Sequence, residues 1–126
     1  MSVVRGIAGT RACVGLALTI ATRPFLRLAV RDEPHSASLV LFARTVGIRD
    51  LVFGTGSYLA AASPDSARDL RRWLTAWLAS DIADVVAAMT GSSDVGRSGA
   101  LAAAAAPLPF VAAGIWALRR LPTVVE

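Results

Sequence analysis

Two carboxylates, Asp81 and Asp84, stand inside residues 73–89 (WLTAWLASDIADVVAAM), a run that carries no other charge. An aspartate at the centre of a membrane-crossing helix costs about 2.5–3.5 kcal/mol on insertion scales. A helix with two of them must turn them away from lipid, so a fold for this chain needs a polar interior to receive them. On a helix, Trp77, Asp81, Asp84 and Ala88 fall at i, i+4, i+7 and i+11, which is one stripe. The two carboxylates therefore face the same way.

Three further apolar stretches accompany this one: residues 3–22, 39–62 and 99–118. Each is near the roughly 20 residues that a spanning helix needs. Arg5 and Arg11 interrupt the first, and Arg44, Arg49 and Asp50 the second, while the last has no charge. Of the 126 residues, 55% are hydrophobic and 17% charged, with a mean hydropathy of +0.57. A soluble domain usually carries closer to about a quarter charged residues. The pattern predicts an all-α integral membrane four-helix bundle, with residues 1–126 forming a single transmembrane domain.

The connections fit this division. Residues 23–38 (RPFLRLAVRDEPHSAS) hold two prolines and a charge cluster. Phe25, Leu26, Leu28 and Val30 alternate there with Arg23, Arg27 and Arg31, which predicts a short amphipathic helix at the membrane surface. Ser63, Pro64 and Asp65 combine an N-cap serine, a first-turn proline and a first-turn acid, so a helix is expected to begin at Pro64 and run through Arg71 and Arg72. Residues 90–98 read as a polar turn. Pro107 and Pro109 are each expected to remove a backbone bond and kink the last span. The N-terminal stretch is expected to stay as a span rather than be cleaved as a signal peptide, because Arg11 interrupts it and Arg23 and Pro24 follow at once. Counting arginines near the spans puts both termini on the cytoplasmic side, with Trp73 and Trp116 at the interface of that side.

The interior carboxylates need partners. Arg49 shares a helix face with Phe53, Gly56 and Ala60; Asp50 shares the adjacent, small and polar face with Gly54, Ser57 and Ala61. Arg11 lies in the first stretch. These residues predict an intramembrane polar cluster of Arg11, Arg49, Asp50, Asp81 and Asp84, in which Arg49, and secondarily Arg11, pairs with Asp81 or Asp84. Guanidinium suits the task because it stays charged and can bind a carboxylate through two bonds. Such a cluster is an ion-pair lock that sets helix register, or a binding site or proton path, or else the aspartates merely snorkel to the interface or border a short span. Gly54, Gly56, Ala102 and Ala106 are expected to let neighbouring helices approach closely.

Other chemistries lack their residues. The net charge is +4, but all thirteen cations are arginines that punctuate apolar segments, which suits membrane flanks and not nucleic acid. Cys13 and His35 are the single cysteine and histidine, too few for an ordinary metal site. Asp32, Glu33 and His35 surround Pro34 and read as a solvated loop. Gly54-x-Gly56 lacks a third small residue and a βαβ setting, so it is no dinucleotide fingerprint. No catalytic constellation and no cofactor are expected. Residues 5–15 and 44–54 share a loose Arg/Gly pattern, which in a chain this rich in Gly, Ala and Arg arises by chance about as readily as by duplication; a duplication would imply a two-hairpin origin, as in some transport proteins.

Gly47-x-Arg49-Asp50 with Gly54, followed by Asp81-x-x-Asp84, resembles the small four-helix bacterial integral membrane proteins grouped as families of unknown function. The resemblance covers most of the chain and implies a four-helix integral membrane fold in the bacterial inner membrane, with no established activity. The expected function is non-enzymatic: an accessory or structural subunit of a larger membrane complex, with the lipid bilayer and a protein partner, or a second copy, around it. A small oligomeric transporter or channel component using the aspartate pair is the alternative, and a lipid- or quinone-binding enzyme subunit the third reading.

Overall fold

The computed structural model describes residues 2–29, 36–63, 66–91, 93, 101 and 103–122, and these are almost wholly helical. Five helices are laid out among the described residues: α1 (Ser2–Ile20), α2 (Thr22–Ala29), α3 (Ala37–Ala60), α4 (Ser66–Thr90) and α5 (Leu108–Arg120). The all-α expectation holds. The chain divides into two compact units, Met1–Ser63 and Pro64–Glu126.

In the first unit α1 and α3 pack as an antiparallel pair. The order of their contacts shows this: Arg5 and Gly9 lie against Tyr58, Ala8 and Ala12 against Gly54, and Gly15 against Gly47 and Leu51. α1 gives up its straight course at Ala21. Pro24 has no N–H to donate, so the ladder resumes only with Phe25 bonding to the Ala21 carbonyl at 3.0 Å. The Thr22 hydroxyl donates back to the Leu18 carbonyl across the bend. α2 then lays Thr22 and Leu26 into the unit and leaves Arg23, Pro24, Arg27 and Leu28 exposed. Ser36 starts α3 by accepting a bond from the Leu39 amide at 3.1 Å, the standard N-cap device.

In the second unit α4 and α5 form another antiparallel pair. Gly114 of α5 lies against Leu78, and the Phe110 ring meets Trp77 edge-on at 6.0 Å. At the other end of the pair, Arg71 donates to the carbonyls of Leu121 and Pro122 at 3.4 and 3.0 Å. Those are carbonyls at the end of α5, where the helical ladder leaves acceptors unmatched.

The prolines act differently from expectation. Residues 103–105 are helical, Ala106 and Pro107 form a turn, and α5 begins afresh at Leu108 with Pro107 as its N-cap and Pro109 in its first turn. First-turn amides have no intrahelical partner, so proline costs little there. The pair starts a helix instead of kinking one, and α5 is only 13 residues long. By length and apolar composition, α1 is the one helix among the described residues that qualifies to cross a bilayer. α3 and α4 have the length, at 24 and 25 residues, but carry the interior charges. Pro64, Asp65, Ala102 and the loop residues Asp32, Glu33 and His35 lie outside the described residues, as does most of the 90–98 turn.

Candidate functional site

The buried face of α1 is Val4, Ala8, Arg11 and Gly15; that of α3 is Ala43, Gly47, Asp50, Gly54, Ser57 and Ala60. Both are single stripes of small residues with one charge each. Small side chains bring the backbones close. A Cβ added to Gly54 would come within 2.7 Å of the Ala8 carbonyl oxygen, and one on Gly47 within 2.7 Å of the Leu18 Cβ. One on Gly15 would meet the Leu51 amide and sit 2.6 Å from the Gly47 oxygen. None of these positions can take a side chain without separating the helices.

That close approach sets the geometry of the charges. An Arg11 NH2 nitrogen lies 2.6 Å from Asp50 Oδ1, with the Arg11 side chain 1% exposed. The NH2 nitrogen of Arg49 reaches the same oxygen at 3.3 Å from one residue away. The Arg11 guanidinium also lies 5.8 Å from the Phe53 ring centroid, close enough for attraction to the ring's negative face. One carboxylate thus takes two guanidinium donors. Such a buried pair is a lock more than a source of stability. Desolvation consumes most of its Coulomb gain, yet losing one partner strands a charge at a cost of about 3–5 kcal/mol.

The second unit carries its own interior carboxylate. Asp81 is fully buried and its Oδ2 accepts a 2.7 Å bond from Nε1 of Trp77, itself 1% exposed. The i, i+4 spacing makes this possible: one helical turn brings the indole N–H over the carboxylate. Asp84 and Ala88, further along the same stripe, are half-buried.

Within the first unit, part of the expected cluster comes together. Arg11, Arg49 and Asp50 do converge, but around Asp50, a residue the sequence placed in the cluster without assigning it to Arg11. Asp81 and Asp84, the partners expected for Arg49 and secondarily for Arg11, belong to the second unit. Of the expected packing residues, Gly54 sits against α1, Gly56 is half-buried, and Ala106 is exposed in the turn before α5. Gly15 and Gly47 are the close-approach positions that the sequence reading passed over. The seven-residue step from Gly47 to Gly54 puts both on one face with Asp50 and was the available signal. The two loosely repeated Arg/Gly stretches are the facing parts of α1 and α3. The Gly54-x-Gly56 segment is continuous helix, with no strand–turn–helix for a dinucleotide.

Comparison of the chain with family models, with curated proteins and with solved structures gives no match.

Proposed function

We propose that this is a multi-pass protein of the bacterial inner membrane, both termini cytoplasmic, that serves as an accessory or structural subunit of a larger membrane complex. The observation that carries the reading is the reversed burial of the first unit. Its buried positions are mostly Ala, Gly, Ser, Arg and Asp, while Val3, Leu16, Ile20, Leu41, Phe42, Ile48, Val52 and Leu59 are exposed. Water would favour the opposite arrangement, because burying apolar surface drives folding there. In lipid the tails are as apolar as leucine, and helices associate through small residues and polar pairs.

Two details support the same solvent. Three of the exposed threonines, Thr10, Thr45 and Thr90, donate their hydroxyls to the carbonyl four residues back, at 2.9–3.0 Å, which satisfies those three groups in an apolar medium. Of the three charges in α3, Asp50 is buried and bonded and Arg49 is largely covered. Arg44 alone is exposed, in the N-terminal half of the helix. The Gly15–Gly47 and Gly54–Ala8 contacts favour α1 as a retained span, since a cleaved segment would take the partner face of α3 with it.

The structural role, against transport, follows from how the charges are engaged. Arg11 and Asp50 bind each other at 2.6 Å, and Trp77 holds Asp81. The Arg11–Asp50 pair joins two helices and is suited to setting their register, while the indole of Trp77 engages Asp81 within one helical turn. The exposed apolar side chains of α1 and α3 offer a surface to helix partners. Extraction of membranes with alkaline carbonate, followed by purification in mild detergent, tests both parts. The chain should stay in the membrane fraction and bring down a stoichiometric protein. Release by carbonate overturns the membrane part; a clean homo-oligomer overturns the subunit part and favours the transporter alternative, which predicts flux in proteoliposomes lost in Asp81→Asn and Asp84→Asn.

A further inference from the structure

The outer arc of α2 is divided by chemistry. Its inner side, Thr22 and Leu26, is buried in the first unit. At 100° per residue, Arg23 and Arg27 occupy one half of the exposed arc and Pro24 and Leu28 the other. Leu28 is 74% exposed and Ile20, just before the bend, 73%. The helix has no acidic residue, and the one acid among the described residues of the first unit is the buried Asp50. Among the described residues of the first unit, no surface acid stands beside these arginines.

Position adds a second argument. α1 has 19 residues, about 28 Å at 1.5 Å per residue, close to the roughly 30 Å hydrocarbon core of a bilayer. If α1 crosses, the bend at Ala21 falls where hydrocarbon gives way to headgroups, and α2 begins there. A helix lying in that plane needs one apolar edge for the acyl boundary and one cationic edge for phosphate. Pro24 with Leu28, and Arg23 with Arg27, provide the two.

We propose that α2 is an interfacial helix whose Arg23 and Arg27 hold the phosphates of anionic phospholipids while Leu28 enters the acyl boundary. This rests on the membrane reading above, and the test separates the two. The full chain with Cys13→Ser, carrying a nitroxide on Leu16→Cys or on Leu28→Cys, is placed in nanodiscs of phosphatidylcholine with phosphatidylglycerol. Oxygen and a water-soluble nickel chelate report depth. The Leu16 label, five residues before the bend, should lie about 7 Å inside the hydrocarbon, and the Leu28 label shallower, at the boundary between headgroups and acyl chains. A deep Leu16 with Leu28 open to the chelate overturns the inference alone; a Leu16 open to the chelate overturns the membrane reading with it. Melting in discs with and without phosphatidylglycerol tests the anion. The rise in Tm given by the anionic lipid should largely vanish in the double variant Arg23→Gln/Arg27→Gln, and an unchanged rise overturns the assignment to these arginines.

Discussion

Arg11 of α1 and Asp50 of α3 meet at 2.6 Å, 39 residues apart in sequence, beside the points where α1 and α3 come into backbone contact. The ion pair and the glycines define one register: slipping α1 along α3 by a turn would pull Arg11 away from Asp50 and move Ala8 and Ala12 off Gly54. The lock and the close packing therefore depend on each other.

The first prediction concerns that lock. Asp50→Leu leaves Arg11 buried beside an apolar side chain and should cost about 3–5 kcal/mol, whereas Arg11→Met combined with Asp50→Leu should recover most of the loss. Unfolding in mixed micelles measures both. Equal destabilisation of the single and double variants would mean that the pair contributes more than a mutual neutralisation.

The glycines should differ sharply among themselves. Gly54→Ala and Gly15→Ala force backbone against backbone and should separate α1 from α3, seen as loss of a cross-link between cysteines placed on the two helices. Gly6, which has nothing within 4 Å of an added Cβ, should accept alanine and gain up to about 1 kcal/mol of helix propensity. Gly9, with only the Tyr58 ring at 3.8 Å, should accept it too.

Trp77→Phe keeps the ring against Phe110 but removes the N–H donated to Asp81. The loss should be about 1–3 kcal/mol in thermal melts. The same variant should also remove the fluorescence component most shielded from acrylamide, because Trp77 is 1% exposed and Trp116 39%.

Arg71→Gln should loosen one end of a helix and spare the rest. Its two bonds to the Leu121 and Pro122 carbonyls close the end of α5. Hydrogen exchange should rise over the last turn of α5, with global stability changed by about 1 kcal/mol or less.

Helix positions were readable because apolar runs and breakers mark them directly: residues 3–22 became α1 and 39–62 became α3 with ends shifted by about two residues. The Trp77–Asp81 stripe was readable for the same reason, since i, i+4 neighbours need no tertiary knowledge. The contact of Arg11 with Asp50 was not. Finding it requires the rotation and register of α1 against α3, and these are set by Gly15, Gly47 and Gly54, residues whose effect lies in what they lack. Pro107 and Pro109 were misread because a proline in a helical run has two outcomes, kink or fresh start. The turn at Ala106 decides between them only in three dimensions.

The reversed burial of the first unit also governs how this chain can vary. In a water-soluble helix pair, the greasy positions are fixed and the small polar ones drift. Here Leu41, Phe42, Ile48 and Val52 point outward and should trade freely among aliphatic and aromatic types. The constraint moves to the least conspicuous letters, where a single added methyl at Gly15 or Gly54 does what deleting a core leucine does elsewhere. A saturation library would then show an inverted tolerance map, permissive where hydropathy is highest and strict where side chains are absent.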